Sequence, residues 1–160
     1  MRADYDLAVL YAGVNDVRDP VFDLAAYERD LDAVVVGLRA HAKRLLMLTL
    51  PHDLGRPTSA PKPLHASGAV RRVAERRGAT VADLSDFGGW TLVLPDIVHP
   101  TALGQLELAD RAARALNAPI LPSSLAGERS GSDARYAPAH ARALARDLAR
   151  RARERVRPAG

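Results

Sequence analysis

Three short apolar segments alternate with longer segments of helical periodicity, and this alternation constrains the fold more than any other feature. The apolar runs at 7–12 and 44–50 are continuous, which is typical of strands buried on both faces in a parallel sheet. A shorter third strand is predicted at 79–84. Apolar residues spaced three or four apart predict helices over 23–42, 66–77 and 101–117. The order β-α-β-α-β-loop-α predicts an α/β fold, in which helices cover a parallel sheet with right-handed crossovers.

The chain divides into a domain, a linker and a basic helix. Residues 1–118 hold the α/β pattern, residues 119–136 are rich in Pro, Ser and Gly, and residues 137–157 predict an Arg-rich helix. The last 40 residues contain nine arginines and four acidic residues, so they account for the whole net charge of +4. The remainder is close to neutral, which argues against a basic nucleic-acid-binding domain, and no nucleic-acid partner is expected.

Three interpretations of the basic helix stay open. The first is a solvated helix with intrahelical ion pairs, such as Asp147 with Arg151. The second is a peripheral contact with an acidic membrane surface, because arginines surround a thin apolar stripe. The third is nucleic-acid binding, which the near-neutral domain disfavours.

Several classes of protein are excluded by what the sequence lacks. The absence of cysteine excludes disulfides and thiolate zinc sites, the histidine spacing suggests no metal, and no cofactor is expected. No apolar run approaches the roughly 20 residues of a membrane span. The start at Met1 does not resemble a signal peptide and leads almost at once into a strand. We therefore expect a cytoplasmic protein, and the sequence leaves open whether Met1 is its natural start.

Asp96 and His99 stand three residues apart in a predicted loop just before a helix. At this spacing the carboxylate can accept the imidazole Nδ1–H, which fixes the tautomer and leaves Nε2 free as a base. The spacing alone is common, and on spacing alone a capping aspartate beside a surface histidine is the favoured interpretation.

A second polar cluster, Gly13-Val14-Asn15-Asp16, follows the first predicted strand. The Asn15 amide can donate to a developing oxyanion, and Gly13 can let the backbone turn where a side chain would block substrate. A simple turn is the alternative, because Gly, Asn and Asp are common turn residues. Ligands of parallel sheets bind beyond the carboxyl ends of the strands, which is where both clusters are predicted.

Taken together, the two clusters resemble conserved blocks of the SGNH (GDSL-type) ester hydrolases. Gly13–Asp16 is similar to the G-x-N-D block and Asp96–Pro100 to the D-x-x-H-P block, with Thr101 and Gly104 following as in the family. The resemblance, which includes actinobacterial members, covers roughly residues 5–117. It implies a flavodoxin-like α/β/α sandwich and serine-dependent hydrolysis of a small ester. By this resemblance His99 is the general base, Asp96 its orienting partner and Asn15, with Gly13, part of the oxyanion and substrate site.

The sequence departs from the family at the nucleophile. It contains no Gly-Asp-Ser, and the reversed Gly131-Ser132-Asp133 follows no predicted strand. None of the other serines has a strand-turn-helix setting. We therefore expect a chain that is N-terminally truncated relative to the family and that lacks the nucleophile. The alternative is a catalytically inactive remnant of the fold that acts in binding or regulation.

The missing family strands would lie beside residues 7–12. Their absence predicts an open sheet edge, through which the chain self-associates or is only marginally stable.

For the remaining histidines and for Trp90, the sequence gives no pattern that indicates catalysis. His41 is expected near a helix C-terminus, and His65 and His140 are expected to be exposed. His52, with Asp53 beside it, follows the second strand. It either lines the pocket or lies in a solvated loop. Trp90 forms a pocket wall or covers the sheet edge.

Overall fold

The structure is a computed structural model that describes residues 5–53, 61–126 and 133–156. Within these ranges, three strands form the sheet, namely β1 (Tyr5–Leu10), β2 (Ala42–Leu48) and β3 (Thr80–Ala82). The same ranges contain four α-helices: α1 (Leu24–Arg39), α2 (Pro61–Arg77), α3 (Ala102–Ala115) and α4 (Asp133–Val156). Two short 3₁₀ turns cover Asp16–Arg18 and Pro122–Leu125.

The sheet is parallel throughout, in the order β1-β2-β3, as the alternating pattern predicts. Alternate side chains of β2 enter different layers. Leu45 and Met47 pack with α1 and α2 on one face. Leu46 and Leu48 pack on the other face, where residues of α3 join them. The prediction of an α/β fold with helices on both faces of a parallel sheet is confirmed.

The centre of the core is β2, because it has a strand on either side and helices above and below. Leu45, Leu46 and Met47 are each no more than 2% exposed. Burial of side chains of this size contributes about 1.5–3 kcal/mol each. The apolar run predicted at 44–50 is therefore continuous because β2 is buried on both faces, as the sequence indicates.

The first strand differs from the prediction. Its apolar run predicts burial on both faces, yet β1 is an edge strand and only Ala8 and Leu10 pack against the α1 and α2 layer. Tyr5 and Val9, on the opposite face, are 60% and 54% exposed. The open edge that we expected is present, since β1 pairs only with β2 within the described residues.

Helix boundaries shift where local chemistry differs from apolar periodicity. α1 begins after Asp23, whose carboxylate accepts the backbone N–H of Ala25 at 2.9 Å, and it ends at Arg39 rather than at residue 42. α2 begins at Pro61, five residues earlier than predicted, because proline fits the first turn of a helix. No helix in the described ranges is long and apolar enough to cross a membrane.

The basic helix starts at Asp133, before the predicted residue 137. The Asp147 carboxylate approaches Arg150 at 3.7 Å. The side chain of Arg151, which we expected to pair with Asp147, lies outside the described residues, as do Gly131 and Ser132.

Candidate active site

The segment that joins β3 to α3 carries Asp96 and His99 at the tip of a narrow hairpin. Val93 and Pro100 form an antiparallel bridge at the base of this hairpin. Nearer the tip, the Leu94 N–H donates to the carbonyl of His99 at 2.8 Å. These backbone bonds hold the two ends of the segment together, so the tip is a constrained turn rather than a free loop.

Asp96 and His99 make the contact that their spacing predicts. The His99 Nδ1 lies 2.7 Å from Oδ2 of Asp96. The other carboxylate oxygen accepts the backbone N–H groups of Val98 at 2.9 Å and His99 at 3.0 Å. The carboxylate therefore orients the imidazole and closes the turn at the same time, and Nδ1 donates to it when it carries the proton.

The environment of Asp96 favours its charged form. Partial burial raises its pKa, but the N–H groups of His99 and Val98 and the His99 imidazole outweigh this and lower the pKa to about 2. The His99 side chain is 71% exposed. A charged carboxylate on Nδ1 and an exposed ring suit a base that works through Nε2.

The turn includes a strained residue. Ile97 has φ of +57°, a left-handed conformation that a β-branched residue rarely adopts. Such a backbone conformation costs on the order of 1–3 kcal/mol of conformational free energy and persists only where neighbouring contacts maintain it. Here the two backbone bonds to Asp96 do so, together with the bond from Ile97 N–H to the carbonyl of Leu94.

The Thr-x-x-Gly sequence after the hairpin fastens it to α3. The Thr101 hydroxyl donates to the carbonyl of Thr91 at 2.6 Å and accepts the Gly104 N–H at 3.1 Å. A Cβ on Gly104 would lie 2.0 Å from the carbonyl oxygen of Leu92. Glycine is required here because the helix and the hairpin backbone touch.

Helix α4 contacts the same hairpin, which sequence reasoning missed. His140 is 3% exposed, and its Nε2 lies 2.9 Å from the carbonyl oxygen of Val93. Its ring stacks on Trp90 with centroids 5.4 Å apart. The prediction that His140 is exposed is therefore wrong, because α4 folds back onto the domain, and Trp90 packs against that helix.

The Gly13–Asp16 cluster follows β1 and leads into the first 3₁₀ turn. Gly13 has φ of +114°, and a Cβ there would lie 2.5 Å from the hydroxyl of Tyr27. That hydroxyl donates to the carbonyl of Ala12 at 3.1 Å. Burial, aided by the charge of Asp16, raises the pKa of Tyr27 to about 12. The structure thus supplies a packing reason for Gly13 that differs from the substrate clearance we expected.

The side chain of Asn15 is exposed and does not cap the 3₁₀ turn that follows it. Within the described residues, no hydrogen bond joins Asn15 to Asp96 or His99. Both clusters nevertheless occupy segments that follow the carboxyl ends of strands.

A buried threonine fastens the start of the hairpin segment to β2. The Thr49 hydroxyl donates to Asp83 at 2.9 Å and accepts the Leu84 N–H at 2.7 Å. Nearby, the N–H of His52 donates to the carbonyl of Ser85, while Nε2 of His52 is buried with no partner among the described residues. His52 is thus half-buried against the end of β3 rather than fully solvated.

The hydroxyls of Ser67 and Ser85 have structural partners. Ser67 is 2% exposed and bonds both the N–H and the carbonyl of Leu50. The Ser85 hydroxyl donates to Asp83. Neither hydroxyl bonds to a histidine, as a serine activated by a base would.

A family model matches most of the chain. The model described as GDSL-like Lipase/Acylhydrolase family matches residues 1–107. The chain belongs to this family. Comparison with curated proteins gives no match.

Solved structures with the same fold include two hydrolases. An alpha/beta hydrolase from the metagenome of Lake Arreo, Spain, is 23% identical with a TM-score of 0.58, and the match covers 71% of this chain and 60% of that one. A variant of an acetyl xylan esterase from Geobacillus stearothermophilus is 22% identical with a TM-score of 0.59, covering 78% and 62%. The chain therefore spans about three fifths of the length of these structures, and at such identities the similarity shows the fold alone.

Proposed function

We propose that this chain carries the base, its orienting carboxylate and one oxyanion donor of a serine ester hydrolase. The observation that carries the proposal is the 2.7 Å contact between His99 Nδ1 and Asp96, in a family member whose His99 ring is exposed. Asn15, in the segment between β1 and the first 3₁₀ turn, is the proposed oxyanion donor. Gly13 shapes the turn that presents it.

In the proposed mechanism, Nε2 of His99 takes the proton of a serine hydroxyl as the serine oxygen attacks the ester carbonyl carbon. Asp96 stabilises the imidazolium that forms, and the Asn15 amide donates to the carbonyl oxygen as it becomes negative. The imidazolium then gives its proton to the leaving alcohol, which leaves an acyl-serine. His99 next deprotonates water, and hydrolysis releases the acid and the serine.

The serine itself is proposed to come from residues outside these 160. The sequence has no Gly-Asp-Ser, and Ser67 and Ser85, two of the described serines, bond to Leu50 and Asp83. Short acyl esters are the proposed substrate class. This choice follows the structural neighbour that is an acetyl xylan esterase.

The experiment extends the chain by the reading frame upstream of Met1 and measures hydrolysis of p-nitrophenyl acetate. His99→Ala is expected to lower kcat/KM by about 10³–10⁴-fold, because the base is lost. His65→Ala is the matched control, since His65 is exposed on α2, and it is expected to stay within about twofold. An unchanged rate in His99→Ala would refute the assignment of the base.

A second candidate is a catalytically inactive member of the family that binds rather than hydrolyses. The observation that favours it is the absence of Gly-Asp-Ser from the sequence. A stop codon directly upstream of Met1, together with no hydrolysis by the folded chain, would support this candidate. An in-frame Gly-Asp-Ser and hydrolysis that depends on His99 would exclude it.

A further inference from the structure

We propose that His140 is a positioning residue, through which α4 holds the Asp96–His99 hairpin in its working geometry. This inference rests on the proposed function only for the role of His99. The contact itself is independent of any reaction. Of the α4 side chains that the structure describes, His140 and Ala143 are the buried ones, at 3% and 5% exposure. His140 is thus one of two anchors of the helix, and its polar contact is to the hairpin.

The His140 contact has defined chemistry. The carbonyl oxygen of Val93 can only accept a hydrogen bond, so Nε2 of His140 at 2.9 Å must carry the proton and donate it. Val93 is itself 1% exposed. Its carbonyl therefore has little access to water that could replace the imidazole.

Ring packing fixes the direction of this donor. Trp90 and His140 stack with an interplanar angle of 11°. Trp90 lies three residues before Val93 on the same segment, so the imidazole touches the hairpin base twice, once by stacking and once by hydrogen bonding. A side chain of another shape would lose one contact or both.

The anchored residue is linked to the catalytic pair by a short series of backbone bonds. Val93 bridges Pro100, the residue after His99. The next residue, Leu94, donates its N–H to the carbonyl of His99 and accepts the N–H of Ile97. A shift at Val93 is therefore passed directly to the turn, where the strained Ile97 depends on its neighbours.

The turn is consequently expected to respond to His140 before the core does. Backbone bonds at the tip are exposed and few, whereas those of β2 lie in the fully buried centre of the sheet. Local opening requires less free energy than global unfolding in such segments. Loss of the His140 contact should thus increase local opening around Asp96 and His99 more than opening of the core at β2.

Amide hydrogen exchange and NMR of the 160-residue chain test this. His140→Ala removes the donor and the ring, whereas His140→Gln keeps an N–H donor. In His140→Ala we expect the amides of Val98 and His99, which bond to Asp96, to exchange about tenfold faster or more. The Leu46 amide in the core should stay within about twofold. The His99 Nδ1–H resonance should broaden, and His140→Gln should recover most of the loss.

Equal acceleration at Val98 and Leu46 would show a general loss of stability and overturn the proposal, as would no change at Val98. If His140→Ala does not fold, Trp90→Leu carries the test by the same comparison, because it removes the stacking contact to His140. These readouts need no hydrolysis, so they separate the positioning role from the proposed function. In an active extended chain, the positioning role further predicts a lower kcat with KM within about twofold for His140→Ala.

Discussion

Replacing Gly104 by alanine tests the close approach of α3 to the hairpin. A Cβ at this position would lie 2.0 Å from the Leu92 carbonyl oxygen and 3.0 Å from its carbon, and both are backbone atoms that cannot rotate away. The helix or the hairpin must therefore move. Overpacking of this kind costs about 1–3 kcal/mol. The severity of the contact places Gly104→Ala near the upper end.

The gain from helix propensity opposes this cost but does not cancel it. Alanine is favoured over glycine by about 1 kcal/mol inside a helix. We therefore expect Gly104→Ala to lower the free energy of unfolding by about 2 kcal/mol. The Thr101 cap should weaken as well, since its hydroxyl accepts the Gly104 N–H.

Gly37 is the matched control, because it is also a helical glycine and an added Cβ would meet nothing within 4 Å. Gly37→Ala should raise the free energy of unfolding by about 0.5–1 kcal/mol through propensity alone. Urea denaturation with a common m-value gives both changes. A Gly104→Ala protein as stable as Gly37→Ala would refute the packing argument for the Thr-x-x-Gly sequence.

Three further predictions concern the pair, the sheet edge and the basic helix. The pKa of Asp96 is lowered to about 2, so its charged form stabilises the folded chain above about pH 4, and this contribution disappears as the pH falls toward 2. Asp96→Asn should therefore flatten this part of a plot of the free energy of unfolding against pH. An unchanged slope in Asp96→Asn would contradict this prediction. Val9 is 54% exposed on the edge strand β1 and should promote self-association of the chain. Val9→Lys should therefore shift the sedimentation coefficient toward that of the monomer. A wild-type chain that is monomeric at all concentrations would refute this prediction. The exposed arginines of α4 around Leu148 should bind anionic vesicles at low salt and release them at high salt, and absence of binding at low salt would dismiss the membrane interpretation.

Much of the architecture was predictable because it depends on short-range patterns. Continuous apolar runs and helical periodicity describe burial averaged over a segment, so they located the strands and helices to within a few residues. The contact between Asp96 and His99 was predictable for a similar reason. The two residues are three apart, and the same carboxylate closes the turn that brings them together.

The contacts that hold the site in place were not predictable in this way. His140 lies 47 residues from Val93, and Gly13 lies 14 residues from the Tyr27 ring that excludes a side chain there. Neither pair has a spacing that any local pattern recognises. The interpretation of His140 as exposed failed because a lone histidine in an arginine-rich segment gives no sign of what its helix packs against.

The sequence by itself determined the fold class, the family and the local geometry of Asp96 and His99, because these follow from periodicity and from residues adjacent along the chain. Tertiary structure alone decided that one face of β1 is exposed, that Gly104 touches the Leu92 backbone and that α4 reaches the hairpin. The physical reason is that each of these depends on which surfaces meet after the chain has folded. Close packing between distant segments leaves no periodic trace in the order of the residues.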